Sequence, residues 1–159
     1  MDQDAFRQTY REVNERFCAY EKAVLTNKCG CSQSEKFCIA EREGVHCKSD
    51  GGQQRCLDFL AILREQARFA LRNVQQQQSS RLPHGKAIRV QVGGMRGLYS
   101  ILHSETEIPE CIPDIDGLLE TAEQRYGGLE TLPFSDIMPE ISGYEVKRRS
   151  RRHRDGKDS

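Results

Sequence analysis

Residues 18–56 read CAYEKAVLTNKCGCSQSEKFCIAEREGVHCKSDGGQQRC and hold six of the seven cysteines in a chain of 159 residues. Cys18, Cys29, Cys31, Cys38, Cys47 and Cys56 are spaced C-x10-C-x-C-x6-C-x8-C-x8-C. Within this stretch, residues 27–55 follow neither the helical nor the strand period. Gly30, Gly44, Gly51 and Gly52 fall among charged residues, so an irregular loop is expected, with one helical turn around Glu35–Glu43. A structureless loop of that length is unusual in a compact domain unless something else organises it. Thiolates bound to metal supply such an organiser. Iron–sulfur clusters take four of them, and zinc accepts four in a closed tetrahedral site.

The expected ligands are Cys31, Cys38, Cys47 and Cys56, with Cys29 close enough to replace Cys31. Their intervals of six to eight residues suit a chain wrapped around a cluster. Cys18 is a fifth candidate or a half-buried thiol, because it lies one position off the apolar stripe of its own helix. The paired C-x2-C knuckles of common zinc sites are absent, as is the C-x2-C-x2-C run of bacterial ferredoxins. An iron–sulfur cluster of the [4Fe-4S] type is the leading expectation. Zinc is the alternative, and disulfides or free thiols are the remaining reading. His46 reads as an exposed loop histidine ahead of a ligand. Cys111, isolated in IPECIP, reads as structural.

The flanks of the cysteine segment are helical. Phe6, Tyr10, Val13, Phe17, Tyr20 and Val24 recur at steps of three and four and predict one amphipathic helix. Leu57, Leu60, Leu63, Ala67, Ala70, Leu71 and Val74 predict a second over about Arg55–Val74, with Cys56 on its apolar face. The polar run Gln75–Ser80 then reads as a boundary. Beyond it, Ile88, Val90 and Val92 alternate with Arg89 and Gln91. Gly93-Gly94 and Met95–Leu102 follow, which predicts a β-hairpin. A helix is expected over about Asp114–Tyr126, stopped by Gly127-Gly128. Leu129–Glu140 reads as a proline-bearing loop and Tyr144–Val146 as a short strand.

The fold expectation is therefore α+β in three parts. Residues 1–78 form a helical lobe organised around a cysteine-ligated metal cluster. Residues 79–146 form a small α+β lobe with a hairpin and a helix, and residues 147–159 a basic flexible tail.

Charge and composition narrow the function classes. Lys/Arg and Asp/Glu balance at 24 each, but residues 147–159 carry a net charge of +5 and the body −5. An acidic body with a basic tail is not the profile of a whole-domain nucleic-acid binder. The charged N-terminus has no apolar core of a secretory signal, so a cytoplasmic location is expected, where thiols stay reduced and bind metal. The mean hydropathy of −0.71 and the short apolar runs argue against a membrane span. Gly93-Gly94-Met95-Arg96-Gly97 lacks the Lys-Ser/Thr of a phosphate loop, and no hydrolase constellation stands out. The chain reads as an electron-transfer or accessory subunit of a larger redox enzyme complex rather than a stand-alone enzyme. The alternatives are a zinc-stabilised module whose tail contacts nucleic acid or an acidic protein, and a redox-sensing regulator.

Overall fold

The computed structural model describes residues 4–5, 8–10, 14–77 and 83–145. The expected tail, Val146, and the stripe residues Phe6 and Val13 lie outside these. The class is α+β, with helices around one two-stranded antiparallel sheet. In chain order the elements are α1 (Glu21–Leu25), β1 (Ser34–Ile39), β2 (Arg42–Cys47), α2 (Asp50–Gln77), α3 (Pro83–Leu102), α4 (Ile115–Tyr126) and α5 (Phe134–Gly143).

The expected loop over 27–55, with its helical turn at 35–43, is instead the hairpin β1–β2, in register Ser34↔Cys47 to Ile39↔Arg42. Its two-residue turn is Ala40-Glu41, at φ 46° and 75°. Positive φ at both central residues is the type I′ geometry that matches strand twist, normally marked by Asn-Gly. Without that marker the turn is invisible in the sequence. Holding two non-glycine residues in the left-handed region costs roughly 1–2 kcal/mol each. Replacing Ala40-Glu41 by Asn-Gly should therefore raise the unfolding free energy by about 1 kcal/mol or more in a denaturant titration.

The helix expected from Phe6 to Val24 is interrupted. Residues 4–5 and 8–10 are helical, but Phe17 forms an antiparallel bridge with His46, and α1 begins only at Glu21. The Cys18 N–H donates to Val45 O at 3.0 Å, and the Cys47 N–H donates to Arg16 O at 2.7 Å. The chain at 16–18 therefore lies along β2 like an extra strand.

The helix α2 extends the expected one at both ends. The Ser49 hydroxyl caps it, accepting from the Gly52 N–H at 2.9 Å. Cys56, Phe59, Leu60, Leu63 and Ala67 form its buried face.

No hairpin occupies residues 88–102, which belong to α3. Pro83 suits its first turn. Ile88, Val90, Val92, Met95, Leu98 and Leu102 are all buried, and so is Gln91, which accepts the Ala23 N–H at 3.1 Å. This is the central helix, covered on more than one side. Such a helix loses the single apolar stripe that marks a surface helix, and short stretches then mimic strand alternation. The glycines are contact points instead of a turn. A Cβ on Gly93 would lie 2.6 Å from Ile141 Cα, and one on Gly97 would lie 2.6 Å from Ile137 O.

The proline-bearing loop expected over Leu129–Glu140 is also corrected, because α5 starts after Pro133 and buries Phe134, Ile137 and Ile141 at helical spacing. Pro139 lies inside it at an exposed position and removes one helical hydrogen bond, that to the carbonyl of exposed Ser135. Tyr144 and Glu145 are not strand. The expected helix before Gly127 is present as α4, closed by Gly127 at φ 80°.

One cluster of buried residues draws on both sides of the boundary expected at Gln75–Ser80. It includes Tyr20, Val45, Phe59 and Leu63 on one side and Met95, Leu98, Ile115 and Ile137 on the other. Arg55 adds ion pairs from α2 to Asp116 at 2.9 Å and Glu123 at 3.0 Å on α4.

Candidate metal centre

Four cysteines from four separate pieces of chain line one cavity: Cys18, Cys31, Cys47 and Cys56. Each arrives by a different local device. Cys18 is held by the pairing of residues 16–18 with β2, whose last residue is Cys47. Cys56 enters from the buried face of α2, in the second turn of the helix. Cys31 is placed by a seam between residues 28–32 and the start of α4. The Ile112 N–H donates to Lys28 O at 3.0 Å, the Gly30 N–H to Ile112 O at 2.7 Å, and the Ile115 N–H to Gly30 O at 2.9 Å. The Ser32 N–H completes the seam on Asp114 Oδ1 at 2.9 Å. Glycine is required at position 30, because a Cβ there would lie 2.9 Å from Pro113 O.

Backbone N–H groups lie near two of the sulfurs, that of Tyr20 by Cys18 and those of Gln33 and Asp116 by Cys31. Hydrogen bonds from such groups favour the thiolate, and the N-terminal end of α4 adds its partial positive charge. Burial opposes them and prevails. It pushes the Cys18 thiol up to about 12 and raises Cys31 and Cys56 as well; neighbouring cysteines add to the shift at Cys18 and Cys56, and the carboxylates of Asp114 and Asp116 add to it at Cys31. At neutral pH those three are therefore neutral thiols until a cation draws off their protons.

Among the described residues, no group of three or more His, Cys, Asp or Glu side chains is placed to hold a metal ion as it stands. The four thiols border a space without meeting at a point. Tyr20 also borders it, fully buried, and its hydroxyl lacks a hydrogen-bond partner among the described residues.

Of the residues expected as ligands, Cys31, Cys47 and Cys56 are brought together, and Cys38 and Cys29 are not at this cavity. Cys38 pairs with Glu43 on the face of the hairpin that also carries Cys47. It lies four positions beyond Ser34, the partner of Cys47, or about 13 Å along the strand at roughly 3.3 Å per residue. It is exposed near the turn. Cys29 is buried at a parallel bridge with Ile112, and burial pushes its thiol up to about 12. His46 faces away from the cavity, with Nδ1 3.1 Å from Asn14 Oδ1. Its neighbour Cys47 takes the opposite face because strand residues alternate.

Exposure orders the reactivity of the thiols. In metal-free protein at neutral pH, iodoacetamide should label exposed Cys38 and Cys111 first, and buried Cys29, Cys47 and Cys56 at least tenfold more slowly. Peptide mass mapping over time reads this order.

No protein-family model, no curated protein and no solved structure matches this chain. Among the described residues, no helix is long and apolar enough to cross a membrane.

Proposed function

We propose that Cys18, Cys31, Cys47 and Cys56 hold an iron–sulfur cluster, and that the chain serves as an electron-transfer or accessory component of a larger redox assembly. The carrying observation is the convergence of four thiols, from four parts of the chain, on one cavity. Buried thiols that merely fill a core have no reason to collect in this way. An all-thiolate donor set with backbone N–H groups near two of its sulfurs suits a cluster, whose potential responds to burial and to hydrogen bonds at sulfur.

A specific observation favours a second reading. The cavity is tight, about 10 Å³ in volume. One zinc ion would fill it once the sulfurs drew together, giving a zinc-stabilised interaction module instead of a redox protein.

Metal analysis after anaerobic isolation, followed by reconstitution with ferrous iron and sulfide, decides between them. Brown protein with matched iron and acid-labile sulfide, reversibly reducible, supports the cluster. Colourless protein with one zinc per chain, refusing iron and sulfide, establishes the second reading. Protein that binds neither metal overturns the site.

A further inference from the structure

Tyr20 is 0 % exposed, and its hydroxyl has no hydrogen-bond partner among the described residues. Burying a hydroxyl without a partner is costly, and such groups in folded proteins call for an explanation. The position of this one suggests it. Tyr20 borders the four-cysteine cavity, two residues after Cys18. Burial acts most strongly on its phenol, and Cys56, Cys29, Cys18 and Arg64 are the ionisable groups near enough to influence it. Neutral thiols are weak acceptors, whereas metal-bound thiolate or sulfide accepts strongly.

We infer that the Tyr20 hydroxyl is a built-in donor to the metal centre, forming an O–H···S bond to one of its sulfurs when the centre is loaded. This rests on the proposed centre and adds a tuning residue to it. A hydrogen bond at sulfur stabilises the more negative, reduced state of a redox centre, so it raises the reduction potential. Tyr20 is a positioning and tuning group and not a ligand.

The test is Tyr20→Phe, which keeps the ring in the core and removes only the hydroxyl. Two readouts should move in opposite directions. In metal-free protein the variant should be as stable as the parent or more so, since an unsatisfied buried group has gone. In iron-loaded protein the variant should keep its metal content but reduce less readily. At a fixed poise, the ratio of reduced to oxidised centre should fall about tenfold, a shift of about 59 mV for a one-electron couple. If the native metal is zinc, cobalt(II) replaces the redox readout. The sulfur-to-cobalt charge-transfer band should then move to longer wavelength in the variant at equal occupancy. An unchanged potential or cobalt band at full occupancy overturns the inference while leaving the centre standing. Equal loss of stability in metal-free and loaded protein also overturns it, since that marks a hydroxyl serving the core alone. Failure of the parent protein to bind metal removes the proposed centre itself.

Discussion

Cys18→Ser should lose metal as completely as Cys31→Ser, Cys47→Ser or Cys56→Ser, while Cys38→Ser and Cys29→Ser keep it. The reason is geometric, because Cys18 borders the shared cavity and the other two do not. The effect should be large. A structural four-ligand site yields an apparent binding free energy of roughly 10–16 kcal/mol. A whole domain is stable by only about 5–15 kcal/mol. Losing one ligand of four should weaken binding by at least about 100-fold and release the segments it joins. Hydrogen exchange in the Cys18 variant should therefore rise first across residues 14–56, while α3, buried at the centre, keeps the most protection. Metal per chain and exchange rates measure both parts. Full occupancy in Cys18→Ser, with none in Cys38→Ser, would return the ligand set to Cys31, Cys38, Cys47 and Cys56.

The second large effect belongs to the contact between α3 and α5. Gly93 and Gly97 lie one turn apart on α3, and each is approached by backbone of α5. In an open helix, glycine to alanine gains about 1 kcal/mol of helix propensity. At these two positions the gain is reversed, since the new methyl groups would meet atoms that cannot rotate aside. Overpacking costs roughly 1–3 kcal/mol per site. The double variant Gly93→Ala/Gly97→Ala should lose about 2–5 kcal/mol in urea titration, and Gly97→Leu should not fold. Gly85, on the same helix, provides the contrast, because a Cβ there would meet nothing within 4 Å. Gly85→Ala should gain a few tenths to about 1 kcal/mol. Equal and favourable effects at positions 85, 93 and 97 would mean that the two helices do not pack this closely.

Local pattern made part of this legible. The long helix α2 shows in Leu60, Leu63 and Ala67, because one face is buried and the other wet. The helix α4 shows in Ile115, Leu118, Leu119 and Ala122 and in the glycine that stops it. Both are surface helices, where periodicity reports environment faithfully. The hairpin was hidden because its type I′ turn is made by Ala40-Glu41 and not by a residue pair that prefers positive φ. The helix α3 was hidden because burial on several sides removed its stripe, and its glycines resemble a turn until α5 is seen against them. The helix α5 was masked by Pro139, a helix breaker by local rule that sits in the helix nonetheless, while Phe134, Ile137 and Ile141 are buried at helical spacing.

The candidate site divides the same way. Cysteine density alone pointed to residues 18–56 as the place for the proposed metal centre, since six thiols crowd into them. It did not determine which of them meet. Spacing along the chain favoured Cys38, but hairpin pairing carries that residue out toward the turn. Cys18 is marginal as long as its segment is read as one helix. Pairing with β2 breaks that helix and brings Cys18 to the cavity beside Cys47. Composition and local periodicity are properties of neighbours in sequence, so the sequence alone carried two helices and the cysteine-rich segment, whereas the α+β class holds through a hairpin at 34–47 that the pattern did not mark. Convergence of thiols depends on hydrogen bonds between residues far apart in the chain, such as Cys18 to Val45 and Gly30 to Ile112. Those pairings exist only once the core has brought the segments together, and so the tertiary structure decided the site.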